Sequence, residues 1–223
     1  MIDLLAVCAH PDDLEAGLGG TFIKAKQEGL CTGLVLFTKG EAGGHAGAGL
    51  RMREAEKAAS EMELDYFAVL DFPDAGLFYS PEAVQALIPH LRKCEPRYLF
   101  TLLSEDYHPD HAAVSKITEA ARFCAGLKKY SPDGKEWHCE DLLYFGVDDR
   151  RNRQRPELYV DISDVIDRKR RILEAHASQQ ILEPCMRMAE AYGQIAGVGY
   201  AEGLYLKAAF TVRHPGALFS KER

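Results

Sequence analysis

Two clusters of histidine and aspartate, each directly behind an apolar run, have the residue types and spacing for metal chemistry. The first is Ala9-His10-Pro11-Asp12-Asp13, which follows the run Asp3–Cys8. The second is His108-Pro109-Asp110-His111, which follows the run Tyr98–Leu103. Imidazole and carboxylate groups are ligands of zinc and of related divalent metals. The clusters lie far apart in the sequence, so only folding can bring them together.

The predicted metal ligands are His10, Asp13 and His111, which supply two imidazoles and one carboxylate. Three protein ligands are typical of a catalytic zinc site, which keeps further positions open for water and substrate. A closed structural site would need a fourth ligand, and the six cysteines are scattered without a C-x-x-C pair. We therefore predict an open Zn²⁺ site, while Fe²⁺ suits the same donor set.

Asp12 lies between two of the predicted ligands and is a candidate general base. A zinc ion lowers the pKa of a bound water to about 7, so a neighbouring carboxylate can accept its proton. The alternative is that Asp12 caps a helix that starts near residue 15, because aspartate is favoured at that position. We favour the base, given its two ligand neighbours.

His108 and Asp110 form a predicted supporting pair beside the metal. An imidazole held by a carboxylate is fixed in one tautomer and tends to remain protonated, which suits acid or electrophilic catalysis. Alternatively, Asp110 orients one of the ligand histidines. The two roles are compatible.

Hydrophobic periodicity predicts how the chain brings the two clusters together. Apolar runs typical of buried strands alternate with segments of helical spacing, of which Val84–Leu91 is the clearest. This alternation predicts a single α/β domain with a Rossmann-like, mostly parallel sheet and helices on both faces. Ligands bind at the carboxyl edge of such sheets. Predicted strands are 3–9, 32–37, 66–70, 98–103, 142–147 and 158–162; predicted helices are 16–28, around 52–62, around 84–91, 111–124 and one from about residue 163.

Length and composition restrict the class of protein. The 223 residues fit one domain over residues 1–223, and 47% hydrophobic with 27% charged residues is ordinary for a globular protein. The net charge of -7 argues against a general nucleic-acid binder. No apolar run approaches the length of about 20 residues of a membrane-spanning helix, and the N-terminus lacks the basic region of a signal peptide. We therefore expect a cytoplasmic protein that binds neither nucleic acid nor membrane.

The motifs of this chain, taken in order, resemble those of the PIG-L/LmbE-like family of zinc-dependent N-acetylglucosamine deacetylases. The resemblance extends over residues 3–210. It implies a Rossmann-like fold and hydrolysis of the acetamide of an N-acetylated amino sugar. The matching segments are Ala9–Thr21, Arg53–Glu56, Phe72–Leu77, His108–His111, His176–Gln179 and Tyr200–Gly203.

By matching position, the resemblance implies that His10, Asp13 and His111 are the metal ligands and that Asp12 is the base. It implies that His108 protonates the leaving amine or stabilises the intermediate, with Asp110 behind it. Tyr200 would help to polarise the acetyl carbonyl, and Arg53 would contact sugar hydroxyls. Alternatively, Tyr200 is a half-buried sheet residue and Arg53 a solvated partner of Glu56. The family resemblance also implies a small-molecule substrate and a homo-oligomer.

Within the family, the spacing of Asp12–Thr21 resembles a short bacterial branch that includes the bacillithiol-pathway deacetylases, which act on N-acetylglucosaminyl malate. This chain departs from that branch at Tyr107, where a basic residue is common, and in the glycine-rich loop 40–49. Three hypotheses remain: removal of the N-acetyl group from an N-acetylglucosamine derivative, hydrolysis of another N-acyl substrate, and sugar binding without turnover. The complete His/Asp set favours the first, because binding alone needs no base beside a metal. The arginines within 150–155 and the loop 40–49 have no assigned role.

Overall fold

The computed structural model describes residues 1–44, 46–130, 134–139, 141–148, 150 and 154–208. The strands are β1 (Leu4–Cys8), β2 (Thr32–Leu36), β3 (Tyr66–Val69), β4 (Tyr98–Leu102), β5 (Asp141–Phe145), β6 (Leu158–Asp161) and β7 (Ala201–Leu204). The helices are α1 (Asp13–Gln27), α2 (Ala48–Glu61), α3 (Pro81–Cys94), α4 (Pro109–Ala125), α5 (Ile166–Ala175) and α6 (Leu182–Ala196). None of these described helices is long and apolar enough to cross a membrane.

Strands β1 to β5 form one parallel sheet in the order β3-β2-β1-β4-β5, which confirms the predicted Rossmann-like α/β fold. In this sheet, Ala6 of β1 lies beside Leu34 of β2 on one side and beside Phe100 of β4 on the other. The strand order changes direction between β1 and β4, and such a switch point is where open α/β sheets bind ligands. Both histidine clusters follow the two strands that flank this point.

Helix α1 lies unusually close to its neighbours because it is rich in glycine. A Cβ atom at Gly17 would overlap the ring of Phe145 in β5, and one at Gly19 would overlap the side chain of Ile172 in α5. Neither position has room for a larger residue unless these neighbours shift. The close packing therefore holds the start of α1, directly behind the first cluster, against the sheet and α5.

Helices α1, α2 and α4 begin earlier in the chain than the sequence indicated. Helix α1 starts at Asp13 instead of residue 16, and α4 starts at Pro109, a residue favoured in the first turn of a helix. Helix α2 starts at Ala48, inside the segment predicted to be a loop up to residue 49. Its first turn includes Arg51, whose buried side chain bonds to two neighbouring loops. Tertiary contacts therefore outweigh the low helix propensity of the glycines.

The last third of the described chain forms elements that the sequence did not indicate. Strands β6 and β7 make a separate antiparallel pair, so the predicted strands around 142–147 and 158–162 belong to different sheets. Helix α6 and strand β7 were not predicted. Strand β7 contains Glu202 and Gly203, residues of low strand propensity. Their burial depends on distant partners, which local patterns do not reveal.

Candidate active site

The carboxyl ends of β1 and β4 bring the side chains of His10, Asp13 and His111 together, and all three are buried. Nδ1 of His10 lies 3.3 Å from Nε2 of His111. The Oδ1 atom of Asp13 lies 3.2 Å from His111 Nε2, and its Oδ2 atom lies 3.6 Å from His10 Nδ1. Donor atoms around one tetrahedral metal with bonds of about 2.0–2.1 Å are about 3.3 Å apart. The three side chains therefore place donor atoms at separations that suit a divalent cation, and nitrogens of His10, His108 and His111 also lie within 4.8 Å of one another.

Backbone groups of the first cluster orient the carboxylate of Asp13. The N–H groups of Ala9 and His10 donate to Oδ2 of Asp13 at 3.0 and 2.8 Å. Burial opposes ionisation, but the neighbouring His111 and His10 hold the pKa of Asp13 well below its usual range. Asp13 is therefore a fixed anionic donor that points towards both imidazoles.

The second nitrogen of His10 is held by two carboxylates. Nε2 of His10 lies 3.0 Å from Oδ1 of Asp74 and 3.3 Å from Oδ2 of Asp110. Burial disfavours a charged ring, but bonds with Asp110, Asp13 and Asp74 raise the pKa of His10 to about 12. Carboxylates of this kind fix the tautomer and the orientation of a ligand imidazole. They also favour positive charge at this position, whether protons or a metal cation supply it.

His111 has an equivalent partner in Asp106, whose Oδ2 atom lies 3.3 Å from Nδ1 of His111. Burial lowers the pKa of His111, but Asp13 and Asp106 raise it to about 9. Both predicted ligand imidazoles thus have aspartates beside their second nitrogen: Asp74 and Asp110 for His10, and Asp106 from the connection between β4 and α4 for His111. The chemistry of the donor set and of its partners is that of a cation site.

The Asp110 carboxylate contacts His10 and not His108. It also accepts the N–H groups of Ala75 at 2.7 Å and of Leu77 at 3.3 Å. Nδ1 of His108 instead accepts the backbone N–H of Asp110 at 3.3 Å, at the start of α4. The predicted pairing of the His108 ring with the Asp110 carboxylate is therefore wrong. The alternative, in which Asp110 orients a ligand histidine, matches the contacts.

The His108 ring is half-buried and stacks on His111, with 4.6 Å between the ring centroids. It also lies edge-on to His10, at 4.7 Å. Burial and the two neighbouring imidazoles lower the pKa of His108, which disfavours the protonated ring that the sequence indicated. Because Nδ1 accepts a hydrogen bond, the neutral ring carries its proton on Nε2.

Asp12 combines a strained backbone with a basic carboxylate. Its φ of 116° lies in the left-handed region that non-glycine residues rarely adopt, and such strain is typical of functional sites. Asp12 occupies the N-cap position of α1, as the helix-cap alternative predicted, but its side chain makes no capping bond to the helix. Burial and the charge of Asp13 raise the pKa of Asp12 to about 6, against the opposing effect of Arg51. A carboxylate of this pKa is ionised at neutral pH yet remains a useful base.

Arg51, not Arg53, is the arginine of α2 that reaches the site. Arg51 is buried and donates to the carbonyl oxygens of Gly40 at 2.8 Å and Pro11 at 2.9 Å. Arg53 is exposed. The buried Glu54 accepts the N–H and the hydroxyl of Ser178 at 3.0 and 2.6 Å. The buried Arg-x-x-Glu pattern is thus Arg51 to Glu54, two residues before the predicted one, and the predicted contact of Arg53 with sugar hydroxyls stays a prediction.

Tyr200 lies one layer behind the site. It is partly buried and packs against the cluster that contains Ala16 and Leu173. Its N–H donates to Oγ of Ser163 at 3.0 Å. Ala16 lines the cavity described next, whereas Tyr200 does not belong to the part of the wall formed by described residues. Its predicted role at the acetyl carbonyl stays a prediction.

The site opens into a cavity of about 580 Å³. An apolar part of its wall comes from the start of α6, with Ile181, Pro184 and Met188. A polar part comes from Gln179, Gln180, Asp148 and Arg150, and Arg150 makes two bonds of 2.8 Å to Asp148. Gly43 and Tyr107 also line the cavity. His45, Arg151 and Arg153, which the sequence singled out, lie outside the described residues.

Sequence reasoning missed three residues that support the site: Asp74, Asp106 and Arg51. Asp74 is in the turn after β3, and the Asp74 side chain is 4% exposed. Its position at a third strand end on the same sheet edge was the available signal. Asp106 lies two residues before His108, but an isolated aspartate in a turn is usually a local cap.

Comparisons with known proteins agree with this geometry. The family described as PIG-L: GlcNAc-PI de-N-acetylase matches residues 5–122, which include both histidine clusters. A diacetylchitobiose deacetylase of Thermococcus kodakarensis is 31% identical over 222 residues, covering 90% of this chain and 81% of that protein. The crystal structure of the conserved protein TT1542 from Thermus thermophilus superposes with a TM-score of 0.88 at 36% identity, covering 96% and 98% of the two chains. A 4-oxalmesaconate hydratase of Pseudomonas putida is 24% identical, covering 90% and 87%.

Proposed function

Because the chain belongs to the PIG-L (GlcNAc-PI de-N-acetylase) family, we propose that it is a metal-dependent hydrolase that removes the N-acetyl group from an N-acetylglucosamine derivative. The observation that carries the proposal is the convergence of His10, Asp13 and His111 beside Asp12 in one cavity. Zinc is the proposed metal, and Fe²⁺ is the alternative. Cytoplasmic location, a homo-oligomer and one domain over residues 1–223 stay predictions.

His10, Asp13 and His111 would hold the cation. When bound, the cation would supply Lewis-acid polarisation of the acyl carbonyl. Arg51 binds Oδ2 of Asp12 at 3.1 Å, so we assign proton acceptance to Oδ1 of Asp12. The base takes a proton from the attacking water as the new carbon–oxygen bond forms.

We assign stabilisation of the tetrahedral intermediate to His108. Its Nδ1 accepts the N–H of Asp110, so Nε2 of the neutral ring carries the proton and can donate a hydrogen bond to the developing oxyanion. Asp12 returns the proton taken from the water to the leaving nitrogen as the carbon–nitrogen bond breaks, which gives an amine and acetic acid and leaves Asp12 as a carboxylate again. Tyr200 is retained as the proposed second stabiliser of the carbonyl oxygen.

The cavity supports a neutral sugar as the second half of the substrate. Its volume of about 580 Å³ leaves space beyond one acetamido sugar. Tyr107 lines it at the position where the malate-specific branch commonly has a basic residue. Two arginines of the wall near α6 each have an acidic neighbour: Arg150 makes two bonds to Asp148, and Arg187 lies 4.0 Å from Glu183. We therefore propose a substrate of the diacetylchitobiose type in preference to N-acetylglucosaminyl malate.

The test compares the purified, chelator-treated and zinc-reconstituted protein. Amine release is measured on N-acetylglucosamine, N,N′-diacetylchitobiose and N-acetylglucosaminyl malate, and 4-oxalmesaconate is included as a substrate for hydration. The proposal predicts amine release that chelation abolishes and zinc restores, with diacetylchitobiose turned over faster than the malate conjugate. Hydration of 4-oxalmesaconate without amine release from any sugar would contradict it, and faster turnover of the malate conjugate would overturn the preference for a neutral sugar.

A further inference from the structure

A buried ion pair interrupts helix α1 a short distance after its catalytic end. Lys169 of α5 and Glu202 of β7 are in direct contact, and their side chains are 0% and 2% exposed. Leu18, in the middle of α1, has a non-helical backbone with φ of -136°. The pair and the irregularity coincide, because both partners bind backbone groups on either side of Leu18.

Hydrogen bonds to Lys169 and Glu202 replace one backbone hydrogen bond of the helix. In an unbroken helix, the N–H of Gly20 donates to the carbonyl oxygen of Ala16. Here Gly20 donates to Oε1 of Glu202 at 2.8 Å, and Nζ of Lys169 donates to the Ala16 oxygen at 3.0 Å. Insertion of side chains into the i→i−4 ladder is a known cause of helix kinks.

Glu202 holds the second half of the helix with its other oxygen as well. Oε2 of Glu202 accepts the N–H of Thr21 at 2.7 Å and the hydroxyl of Thr21 at 2.6 Å. The carboxylate therefore acts as a cap for a helix segment that restarts after Leu18. Nζ of Lys169 and both carboxylate oxygens of Glu202 thus bond to groups of α1 on the two sides of Leu18.

The first half of the helix is one turn that carries the site. The N–H of Ala16 donates to the carbonyl oxygen of Asp12 at 2.9 Å, so this turn runs from the base to the atom that Lys169 binds. Asp13, a proposed metal ligand, lies within it. The direction of this turn relative to the rest of α1 sets where the two aspartates point.

We propose that Lys169 and Glu202 are positioning residues that hold the kink in α1 and thereby place Asp12 and Asp13 for metal binding and catalysis. The inference rests on the proposed metal site. Neither residue touches the cavity, and both lie outside residues 5–122, over which the family model matches, although Glu202 is part of the Tyr200–Gly203 segment that resembles the family. The pair acts on the site through Ala16: Lys169 binds the carbonyl oxygen of Ala16, and the N–H of Ala16 donates to the carbonyl oxygen of Asp12.

The test uses the full chain with Lys169→Met and Glu202→Leu together, because removing both charges leaves neither one buried without a partner. Thermal unfolding shows whether the variant folds, and the dissociation constant for Zn²⁺ is measured by competition with a chromogenic chelator. With the pair removed, Gly20 can donate to Ala16 and the helix straightens. The proposal predicts a folded variant whose zinc affinity is at least about tenfold weaker, the scale of an altered ligand support.

Two further variants complete the design. Thr21→Val removes one bond to Glu202 without unpairing a charge, and its zinc affinity is expected to fall about threefold. Lys26→Ala is the matched control, because Lys26 lies on the same helix beyond the kink and, among the residues that the structure describes, its ammonium bonds to the carboxylate of Asp65, at 2.9 and 2.8 Å. Its zinc affinity is expected to stay within about twofold of the wild-type value.

The proposal is overturned if the folded double variant binds zinc within twofold of wild type. If the double variant does not fold, the same result for Thr21→Val overturns it. Because zinc affinity needs no substrate, absence of deacetylation in the wild-type chain would count against the proposed function alone.

Discussion

Arg51 donates from Nη2 to Oδ2 of Asp12 over 3.1 Å, and the same nitrogen donates to the carbonyl oxygen of Pro11. The guanidinium thereby fixes both the side chain and the preceding backbone of a residue whose φ is 116°. A non-glycine residue keeps such a conformation only when its surroundings impose it. Arg51 is therefore part of the apparatus that holds the proposed base in place.

The two arginines of α2 give a matched pair of variants. Arg51→Ala should lower kcat/KM by about tenfold to a hundredfold, the range expected for a buried charged hydrogen bond worth about 1.5–3 kcal/mol. Arg53→Ala should leave kcat/KM within about twofold, because exposed charges contribute little. Steady-state kinetics of amine release checks both. Equal losses in the two variants would show that the burial of Arg51 does not mark the functional arginine.

The aspartates behind His10 should control metal affinity. Asp74→Asn and Asp110→Asn each remove a carboxylate from Nε2 of His10, and each should weaken Zn²⁺ binding by about tenfold to a hundredfold. Asp71→Asn is the control, because the Asp71 side chain is 90% exposed and pairs with Lys39 away from the ligands. Chelator competition measures all three. If Asp74→Asn and Asp110→Asn both bind Zn²⁺ as tightly as wild type, these carboxylates do not support the metal site.

A buried pair beneath α1 should make stability depend on pH. Nε2 of His176 lies 3.1 Å from Oε1 of Glu15. Burial lowers the pKa of His176, but the charge of Glu15 raises it above the ordinary value of 6.5. The stabilisation is thus fully present below pH 6.5 and is lost as the pH rises through the higher folded-state pKa. The free-energy difference of unfolding between wild type and His176→Gln should therefore be larger at pH 6 than at pH 9.

His90 is the control, because its pKa is shifted in the opposite direction from that of His176. Burial and the charge of Lys93 lower the pKa of His90, so a penalty develops as the pH falls from 6.5 towards the folded-state pKa. The difference between wild type and His90→Gln should shrink, or reverse, towards acid pH. Urea unfolding of both variants at pH 5, 6 and 9 gives the two slopes. Slopes of the same sign would contradict the assigned environments.

The parallel sheet and the convergence of His10, Asp13 and His111 were predictable because their signals are local. His10 and His111 each follow a buried strand, and parallel strands end at one edge, so proximity followed from topology alone. Asp74 and Asp106 gave weaker signals, because a single aspartate in a turn has many structural explanations. The sequence did not determine which histidine the Asp110 carboxylate contacts, because the backbone geometry at the start of α4 decides whether it faces His10 or His108.

Elements that depend on long-range contacts were not predictable in the same way. Both Arg51 and Arg53 begin an Arg-x-x-Glu pattern, and only the helix orientation buries the first. Strand β7 pairs with β6, and its Glu202 satisfies backbone groups of α1 far away in the sequence. Residue patterns report periodicity and propensity, whereas these features arise from packing between distant segments.

The most direct test of the account is Asp12→Asn, measured for both bound metal and turnover. Asparagine keeps the shape of the side chain and an oxygen for Arg51, but it cannot accept the proton of a water. The account predicts zinc bound in the same ratio per chain as in wild type, with kcat for amine release lowered by about 10²–10⁴-fold. A variant that binds zinc normally and releases amine at a near wild-type rate would contradict the assignment of Asp12 as the base.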